Sequence, residues 1–404
     1  MRPSTQCVHL SASDDQYGAI VPPIYQTATF RQPTATEFGE YDYTRSGNPT
    51  RALLESQLAK LECGKHACAF ASGMAAITAL VRLVNNGEEI IAGDDLYGGT
   101  VRLLEQSRLR QGIAVHYVDT SDVNAVVEKI SSKTKLILVE TPSNPLLRIS
   151  DVPRLAELAR SSGVVLAVDN SMLSPILQRP LKFGAHIVVH SATKFLCGHS
   201  DVTAGALITN DSELHKQVAF QQNAEGAGLG PFESWLLMRG LKTLALRVER
   251  QNDSALKLAQ YLAALAVIKD VYHPSFPDHA GHSIHCAQAN GGGAVVSFTT
   301  GDAELSKRIV EAVKVFTIAV SFGSVGSTIS LPCYMSHASI PPSLKGQLAP
   351  PPDLIRLSVG IEDPDDLLDD LNQAISSVTK LRKESTDYAN YTEYADYGTT
   401  RCVR

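Results

Sequence analysis

Short apolar runs alternate with amphipathic stretches through the middle of this 404-residue chain. The runs are EEIIAG, IAVHYVD, KLILVE, VVLAVD and HIVVH. Each is short and apolar at its centre, which is typical of a strand buried on both faces of a sheet. VPRLAELARSSG, between two of these runs, has apolar residues at helical spacing and ends at Gly163. The alternation predicts an α/β fold with a mostly parallel sheet covered by helices.

The flanking regions have different patterns. The first sixty residues are rich in Pro, Thr, Tyr and Gly, which favours an extended arm over a packed element. RALLESQLAKLE then has helical spacing, and Thr50 is the expected N-cap of that helix. One long helix is expected from ESWLLMRG through KLAQYLAAL. Beyond it, AVVSFTT, AELSKRIVEAV and LIRLSVG predict a smaller C-terminal α+β domain.

Composition narrows the functional class. A net charge of -6 offers no basic surface for nucleic acid, so we expect no nucleic-acid partner. No apolar run reaches the roughly 18 residues of a membrane-spanning helix, so we expect no membrane partner. The seven cysteines are scattered and form no CxxC pair, which favours a reducing compartment. We expect a cytoplasmic protein, and an organelle stays open if a transit peptide has been removed.

Two of the apolar runs end on residues that suit one particular chemistry. Asp169 ends the run Val164–Val168, and Lys194 follows the run Ile187–Val189 together with the hydroxyls of Ser191 and Thr193. Because parallel strands end at the same edge of a sheet, we expect these side chains to lie together. Such a set suits pyridoxal phosphate (PLP): the lysine forms a Schiff base, the carboxylate holds the pyridinium proton, and the hydroxyls bind phosphate. A solvated loop lysine is the commoner alternative.

Three further positions after strands complete the parts that this cofactor needs. Ser-Gly-Met at 72–74 opens a helix whose backbone N–H groups can bind phosphate. Tyr97 can cover the ring, and Asn144 can hold the phenolic oxygen of the cofactor. A helix cap, a turn tyrosine and a turn asparagine are the ordinary explanations of each one alone. Five such parts in the right order indicate a PLP enzyme.

Longer motifs carry a family resemblance. They are YDYTRSGNPTR (41–51), ASGMAA (71–76), GDDLYGGT (93–100), ETPSNP (140–145), VDNS (168–171), HSATKFLCGHSDVTAG (190–205), RGLKTL (239–244) and LIRLSVGIED (354–363). From about Ala19 to about Val378 the chain resembles the Cys/Met-metabolism family of PLP enzymes, which has fold type I. That family includes cystathionine γ-synthases, cystathionine β- and γ-lyases and methionine γ-lyases.

The resemblance implies roles for the cofactor-binding residues. Lys194 would form the Schiff base with pyridoxal 5'-phosphate and later move the Cα proton of the substrate. Asp169 would pair with the pyridine nitrogen, and Tyr97 would stack on the ring and assist proton transfer. The implied phosphate ligands are Gly73, Met74, Ser191 and Thr193.

The same resemblance implies substrate-binding and inter-subunit contacts. Arg356 would bind the carboxylate of a sulfur amino-acid substrate as a bidentate fork, with Ser327 and Asn144 beside it. Tyr43 and Arg45 would reach the phosphate in the neighbouring subunit. The resemblance therefore implies a homo-oligomer with shared active sites, namely a homotetramer built as a dimer of dimers.

Pattern and resemblance together divide the chain into four parts. These are an N-terminal arm contacting the neighbouring subunit (1–47), a PLP-binding domain (48–246), a C-terminal α+β domain (247–380) and a flexible tail (381–404). The arm has no core of its own, which suits docking on a partner. The tail is polar, rich in Tyr and free of apolar periodicity, so we expect it to be disordered.

Two glycines bear on the substrate. Methionine γ-lyases usually have Cys where this chain has Gly99, which counts against methionine. Cystathionine γ-lyases and many γ-synthases have Glu at the position of Gly326, whereas plant-type cystathionine β-lyases tend to have Lys there. Several stretches, such as QNAEGAGLGPFESWLLMRGLKTLALR, resemble plant-type cystathionine β-lyase.

These comparisons favour β-elimination of L-cystathionine to homocysteine, pyruvate and ammonia. The alternative is γ-elimination or γ-replacement on cystathionine or an O-activated homoserine. A catalytically silent oligomeric binding protein is a further possibility, against which the intact Lys194, Asp169 and Arg356 count.

One histidine cluster raises the question of a metal. His279, His282 and His285 recur at three-residue spacing before Cys286. Neighbouring Pro and Gly predict a loop there, and no second set of ligands lies nearby in the sequence. We therefore expect no metal.

Overall fold

A seven-stranded sheet is the centre of the molecule, whose computed structural model describes residues 1–9 and 17–387. Its strands are β1 (His66–Phe70), β2 (Glu89–Gly93), β3 (Ala114–Val118), β4 (Thr134–Glu140), β5 (Val165–Asp169), β6 (Ile187–His190) and β7 (Gly205–Thr209). Their order is β1-β7-β6-β5-β4-β2-β3. β7 runs antiparallel to both of its neighbours, and the remaining pairs are parallel. The predicted, mostly parallel sheet is confirmed.

Helices pack on both faces of this sheet and around the C-terminal part. They are α1 (Pro3–Val8), α2 (Pro49–Leu61), α3 (Gly73–Val81), α4 (Gly98–Gln111), α5 (Val123–Val127), α6 (Val152–Ser162), α7 (Ser174–Leu177), α8 (Ser212–Ala224), α9 (Pro231–Leu241), α10 (Leu244–Ala263), α11 (His282–Gln288), α12 (Ala303–Ala312), α13 (Lys345–Leu348) and α14 (Pro364–Asp387). Short 3₁₀ helices span Pro180–Phe183 and Pro342–Leu344. None of these described helices is long and apolar enough to cross a membrane.

The continuous apolar runs are explained by burial of both faces of the sheet. Ile90 packs in a cluster with Leu80 of α3 and Leu104 of α4, whereas the next residue, Ile91, packs in a cluster with Leu155 of α6. Successive side chains of a strand point to opposite faces, so each face needs its own apolar residues. A run without polar alternation is the result.

A second, five-stranded sheet forms the core of the C-terminal part. Its strands are β8 (Asp270–Tyr272), β9 (Val295–Thr299), β10 (Thr317–Ile318), β11 (Thr328–Ser330) and β12 (Leu354–Ser358), in the order β10-β11-β12-β9-β8. Only the β10–β11 pair is parallel. Residues of α10, α12 and α14 share its apolar core. The expected α+β architecture is therefore present.

Two helix predictions were wrong. The N-cap of α2 is Asn48, not Thr50: the Asn48 side chain accepts from the Thr50 and Arg51 N–H groups, and Pro49 occupies the first helical position. Pro is favourable there because its missing N–H would have no partner anyway. The expected long helix is divided into α9 and α10, because Lys242 and Thr243 bond three residues back and turn the chain.

The arm and the tail depart in part from their expected form. The arm contains a short helix, α1, whose Cys7 is buried against the core. The rest of the described arm, residues 17–47, is irregular and fastened by bonds such as Trp235 Nε1 to the Pro22 carbonyl (3.1 Å). α14 continues to Asp387, beyond the expected start of the tail, and residues 388–404 lie outside the described part. The four-part division stays a prediction.

Candidate active site

A cavity of about 450 Å³ opens at the carboxyl ends of the strands of the large sheet. Nine of the predicted site residues line it, and they come from both sheets and the loops between them. They are Gly73, Met74, Tyr97, Asn144, Asp169, Ser191, Thr193, Lys194 and Arg356. Tyr43, Arg45 and Ser327 are not among its lining residues.

One end of the cavity is built to hold an anion. The Ser72 side chain caps α3 by accepting from the Ala75 N–H (3.0 Å), while the N–H groups of Gly73 and Met74 have no acceptor within the helix. A Cβ on Gly73 would lie 2.9 Å from the Ser191 Oγ, so only glycine lets the helix approach this hydroxyl. Free N–H groups, a hydroxyl and a helix N-terminus suit a phosphate.

Thr193 has a second task besides lining the cavity. Its hydroxyl donates to the Ala204 carbonyl (3.1 Å) and accepts from the Ala204 N–H (2.9 Å), which fastens the loop to the start of β7. After Lys194, the Arg247 guanidinium donates to the carbonyls of Phe195 (2.8 Å) and Gly240 (2.9 Å). The loop that carries Lys194 is therefore held on both sides.

Lys194 reaches the centre of the cavity. Its Nζ donates to the Ser321 Oγ at 2.6 Å and lies 4.9 Å from the centre of the Phe322 ring. Burial lowers the pKa of Lys194 to about 8, and the charge of Arg356 acts in the same direction. A neutral amine, which is the form that attacks a carbonyl carbon, is therefore accessible near neutral pH.

Two carboxylates face each other across neighbouring strands. Asp169 on β5 lies in register with Glu140 on β4. The Ser171 N–H donates to Asp169 (2.9 Å), and the Tyr97 N–H donates to Glu140 (3.2 Å). Burial raises the pKa of both carboxyl groups, and for Glu140 the charge of Asp169 raises it further. A cationic ring nitrogen beside Asp169 would offset the cost of burying this carboxylate by pairing with it.

Arg356 is a buried cation, and no carboxylate within residues 1–9 and 17–387 is bonded to it. It donates to the Asn144 Oδ1 (2.7 Å) and the Ser321 carbonyl (2.9 Å) and is 2% exposed. Its Nε is buried and has no hydrogen-bond partner among the described residues. Burial lowers the pKa of Arg356 to about 10, and Glu140 opposes this change through its charge. A small carboxylate entering the cavity would supply the missing acceptor.

Ser327 is one of the predicted site residues that do not line the cavity. Its hydroxyl donates to the Glu362 Oε2 (2.9 Å) and accepts from the Gly360 N–H (2.8 Å). Its own N–H donates to the Glu362 Oε1 (2.6 Å). These contacts hold Ser327 just before β11, outside the residues that line the cavity, and its role beside Arg356 stays a prediction. Gly326, the preceding residue, is not a lining residue either.

Tyr43 and Arg45 lie outside the cavity of their own chain. Tyr43 is 43% exposed, and Arg45 stacks on its ring at 5.6 Å. The Arg45 Nη1 donates to the carbonyl and the Oδ1 of Asn223, each at 3.0 Å. Their assignment to a neighbouring subunit stays a prediction.

The cavity also contains residues that sequence reasoning missed. Glu140, Ser171, Arg102, Ser321 and Phe322 line it. Glu140 and Ser171 belong to the motifs ETPSNP and VDNS, and Arg102 lies five residues after Tyr97, so proximity in the sequence could have indicated these three. Ser321 and Phe322 carry no such signal, because they reach the cavity only through the packing of the C-terminal part.

The histidine cluster forms ordinary structural contacts. The expected loop was wrong in part, since His282, His285 and Cys286 lie on α11. His279 bonds to the Leu147 carbonyl (3.1 Å) and His285 to the Gly291 carbonyl (2.8 Å). Across residues 1–9 and 17–387, no group of three or more His, Cys, Asp or Glu side chains could hold a metal ion.

Comparison with known proteins identifies the family. A family model described as Cys/Met metabolism PLP-dependent enzyme matches residues 4–376. This chain belongs to that family. Pyridoxal 5'-phosphate is therefore its cofactor, and the resemblance inferred from the motifs is confirmed.

Relatives in this Cys/Met-metabolism family carry several activity names. The chain is 52% identical to the chloroplastic cystathionine beta-lyase of Arabidopsis thaliana over 93% of this chain and 81% of the relative. It is 44% identical to the cystathionine gamma-lyase of Bacillus subtilis over 94% and 100% of the two chains. The solved structure of cystathionine gamma-lyase from Lactobacillus plantarum, in complex with L-serine, superposes with a TM-score of 0.91 at 42% identity. The match covers 94% of this chain and 100% of that chain. Fold type I is confirmed.

The donor set of the cavity fits this cofactor. An anion-binding helix end lies at Gly73, a carboxylate at Asp169 and an amine at Lys194, with the ring of Tyr97 in the same wall. These groups match the phosphate, the ring nitrogen, the aldehyde and the face of pyridoxal phosphate, in that order.

Proposed function

We propose that this chain is a PLP-dependent carbon–sulfur lyase that cleaves L-cystathionine by β-elimination, giving homocysteine, pyruvate and ammonia. One observation carries the proposal: Ser321 bonds to both Lys194, through its hydroxyl, and Arg356, through its carbonyl. The proton-moving amine and the carboxylate-binding guanidinium are thus fixed relative to one another. The names of the relatives, with cystathionine beta-lyases at 52% and 51% identity, support the choice of substrate.

Each polar group of the cavity has a task in this reaction. When bound, pyridoxal phosphate supplies an electron sink that stabilises negative charge at the substrate Cα. Arg356 binds the α-carboxylate and Lys194 takes the proton from Cα. Asp169 holds the proton on the pyridine nitrogen, while Gly73 and Met74 hold the phosphate through their N–H groups.

The remaining cofactor contacts complete the proposal. Ser191 and Thr193 contribute to the phosphate site, although the Thr193 hydroxyl already bonds to Ala204. Tyr97 would cover the ring, and Asn144, whose Oδ1 accepts from Arg356 (2.7 Å), would hold the phenolic oxygen.

Arg102 suits the far end of the substrate. Cystathionine has an amino-acid group at each end, so a bound molecule carries a second carboxylate that Arg356 cannot reach. Arg102 lines the same cavity from the first turns of α4 and is exposed. An exposed guanidinium at the cavity binds such a carboxylate without a large desolvation cost.

We propose that the protein is a homotetramer, a dimer of dimers in which Tyr43 and Arg45 complete the phosphate site of the neighbouring subunit. Both side chains are exposed in their own chain and lie in the irregular part of the arm, residues 17–47. Exposed apolar side chains of the same arm, such as Ile20 and Phe38, suit a surface that is covered in an assembly.

We propose a reducing compartment, either the cytoplasm or an organelle. The six cysteines in the described part of the chain are free thiols. Both the Arabidopsis thaliana and the Mimosa pudica cystathionine beta-lyases are named chloroplastic, which keeps the organelle in consideration. Imaging of the tagged full-length precursor would distinguish the two.

γ-Elimination is the second candidate, because the Bacillus subtilis relative named cystathionine gamma-lyase matches at 44% identity over its whole length. Incubation of the holoenzyme with L-cystathionine separates the two reactions. β-Elimination yields pyruvate and homocysteine, whereas γ-elimination yields 2-oxobutyrate and cysteine. Mainly 2-oxobutyrate would overturn our choice. A protein that stays colourless with added cofactor would overturn the enzyme proposal itself, and Lys194→Ala serves as the inactive control.

A further inference from the structure

The loop that carries Asn144 is held by a buried carboxylate behind the cavity wall. The Asp95 Oδ2 accepts from the Ser143 hydroxyl and from the Leu146 N–H (3.0 Å), and these two donors lie on either side of Asn144 in the chain. Asp95 is buried and does not line the cavity. One carboxylate oxygen therefore fixes the loop both before and after Asn144.

A buried histidine fixes Asn144 from a second direction. The His337 Nε2 lies 3.1 Å from the Asn144 carbonyl and 3.2 Å from the Leu96 carbonyl. Carbonyl oxygens can only accept, so Nε2 carries the proton and donates to both. Burial lowers the pKa of His337 to about 4, and the charge of Arg356 lowers it further, so the imidazole is neutral near pH 7. His337 thus joins the Asn144 loop to the segment that carries Tyr97.

Both contacts bear on Arg356 through Asn144. The Asn144 Oδ1 accepts from the Arg356 Nη1 (2.7 Å), and both residues are buried. The asparagine side chain is short, so the position of its backbone decides whether this bond can form. A shift of the loop would therefore release one side of the guanidinium that faces the cavity.

We propose that Asp95 and His337 are positioning residues that hold Asn144 against Arg356 and thereby set the affinity of the site for the α-carboxylate of the substrate. Neither residue lines the cavity, so both act through Asn144. The inference rests on the proposed role of Arg356 as the group that binds this carboxylate. It adds two residues that no contact with substrate would reveal.

The test compares two small amines on the full-length holoenzyme. L-alanine has an α-carboxylate, and ethylamine is the same molecule without it. Titration of each amine against the visible absorption of the bound cofactor gives a dissociation constant, and the ratio of the two constants measures the preference for a carboxylate. The wild type should prefer L-alanine because only L-alanine can pair with Arg356. Equal binding of the two amines by the wild type would reject the proposed role of Arg356, and the inference with it.

Asp95→Ala should lower the preference for L-alanine about tenfold, since the loop loses two bonds. Asp95→Asn keeps an oxygen that can take the place of Oδ2, so it should restore most of the preference. Asp94→Ala is the matched control, because Asp94 bonds to Arg148 (2.9 Å) instead of to the residues beside Asn144. It should behave as the wild type. An unchanged preference in Asp95→Ala, or an equal loss in Asp94→Ala, would overturn the proposal.

The role of His337 is tested by a pair of substitutions. His337→Gln places an amide N–H close to the position of Nε2, whereas His337→Leu has no donor. His337→Leu should lower the preference for L-alanine about tenfold, and His337→Gln should lower it less than about threefold. Equal losses in the two variants would show that the imidazole only fills space, and would overturn its assigned role.

Ser143→Ala decides the question for Asp95 if Asp95→Ala does not fold. It removes one of the two bonds to Asp95, while the Ser297 hydroxyl still donates to the Pro145 carbonyl (2.7 Å) and anchors the loop. The preference for L-alanine should fall about threefold with the cofactor still bound. An unchanged preference in this variant would contradict the role of Asp95.

Discussion

Lys194 combines two environments that act against each other. Burial and the nearby Arg356 favour its neutral amine, whereas Asp169 and Glu140 favour the ammonium. The balance lowers its pKa to about 8, far below the ordinary range of lysine. The reactivity of this residue is therefore set by its neighbours and not by the loop alone.

We expect the rate at which Lys194 combines with cofactor to rise up to about pH 8 and then to level off. The reason is that only the neutral amine attacks the aldehyde, and its fraction stops rising above the pKa. The measurement is the rate of reconstitution of the cofactor-free protein with PLP between pH 6.5 and about 10. An Nα-acetyl-lysine control should continue to accelerate to the top of this range. A protein that follows the control would contradict the expectation.

Gly99 controls the position of the Tyr97 ring. A Cβ at residue 99 would clash with that ring, whereas a Cβ at Gly326 would have only the Glu362 Oε1 near it, at 4.0 Å. Gly99→Ala should therefore displace Tyr97 and reduce kcat roughly ten- to a hundredfold with cofactor still bound. Gly326→Ala should stay near wild type. The measurement is kcat from steady-state kinetics with L-cystathionine. Equal kcat values for the two variants would contradict the steric explanation.

At the scale of single elements, the local sequence pattern predicted strands and helices correctly where burial was uniform along the element. The five apolar runs became β2 to β6, and the helix ending at Gly163 is α6, whose last turn closes on Gly163 with a φ of 65°. β1 and β7 were missed because HACAF and GALIT contain small residues instead of a bulky apolar run. The break between α9 and α10 was missed because the apolar period continues across Thr243.

The Asn48 side chain joins the arm to α2. Besides capping the helix, its Nδ2 donates to the Tyr25 carbonyl (2.9 Å) and the Thr44 Oγ1 (3.1 Å). Asn48→Ala should cost about 2 kcal/mol of unfolding free energy. Asp211→Ala, which removes an exposed cap of α8, should cost about 1 kcal/mol. Urea unfolding measures both, and an equal loss would indicate that the arm contacts contribute nothing.

At the scale of the whole molecule, the site depends on contacts that are distant in the sequence. The positions that follow strands were predictable, because strand ends of a parallel sheet share one edge. The position of Ser321 and the hydrogen-bond partners of Ser327 were not predictable, because they depend on packing between the two sheets. Ser327 matches the family motif, but its hydroxyl donates to Glu362 outside the cavity.

Sharing of the site between subunits can be tested by mixing inactive variants. If Arg45 serves the neighbouring subunit, denatured and co-refolded Lys194→Ala and Arg45→Ala chains should regain about a quarter of wild-type activity. Half of the dimers would be hybrids, and each hybrid has one intact site of two. A mixture of Lys194→Ala with Asp169→Ala should regain none, because both residues line the cavity of one chain. No recovery in the first mixture would place Arg45 outside any shared site.

The antiparallel strand β7 has a consequence for synthesis on the ribosome. β1 is an edge strand whose ladder partner in the large sheet is β7, and β7 begins at Gly205, long after β1 ends at Phe70. The emerging chain thus carries β1 without its sheet partner, and α3 after it, until the Lys194 loop has also been made. The anion-binding end at Gly73 is thus translated well before β7, the strand that joins β1 to the rest of the large sheet. A stalled chain ending before Gly205 should accordingly expose β1 to chaperones and proteases.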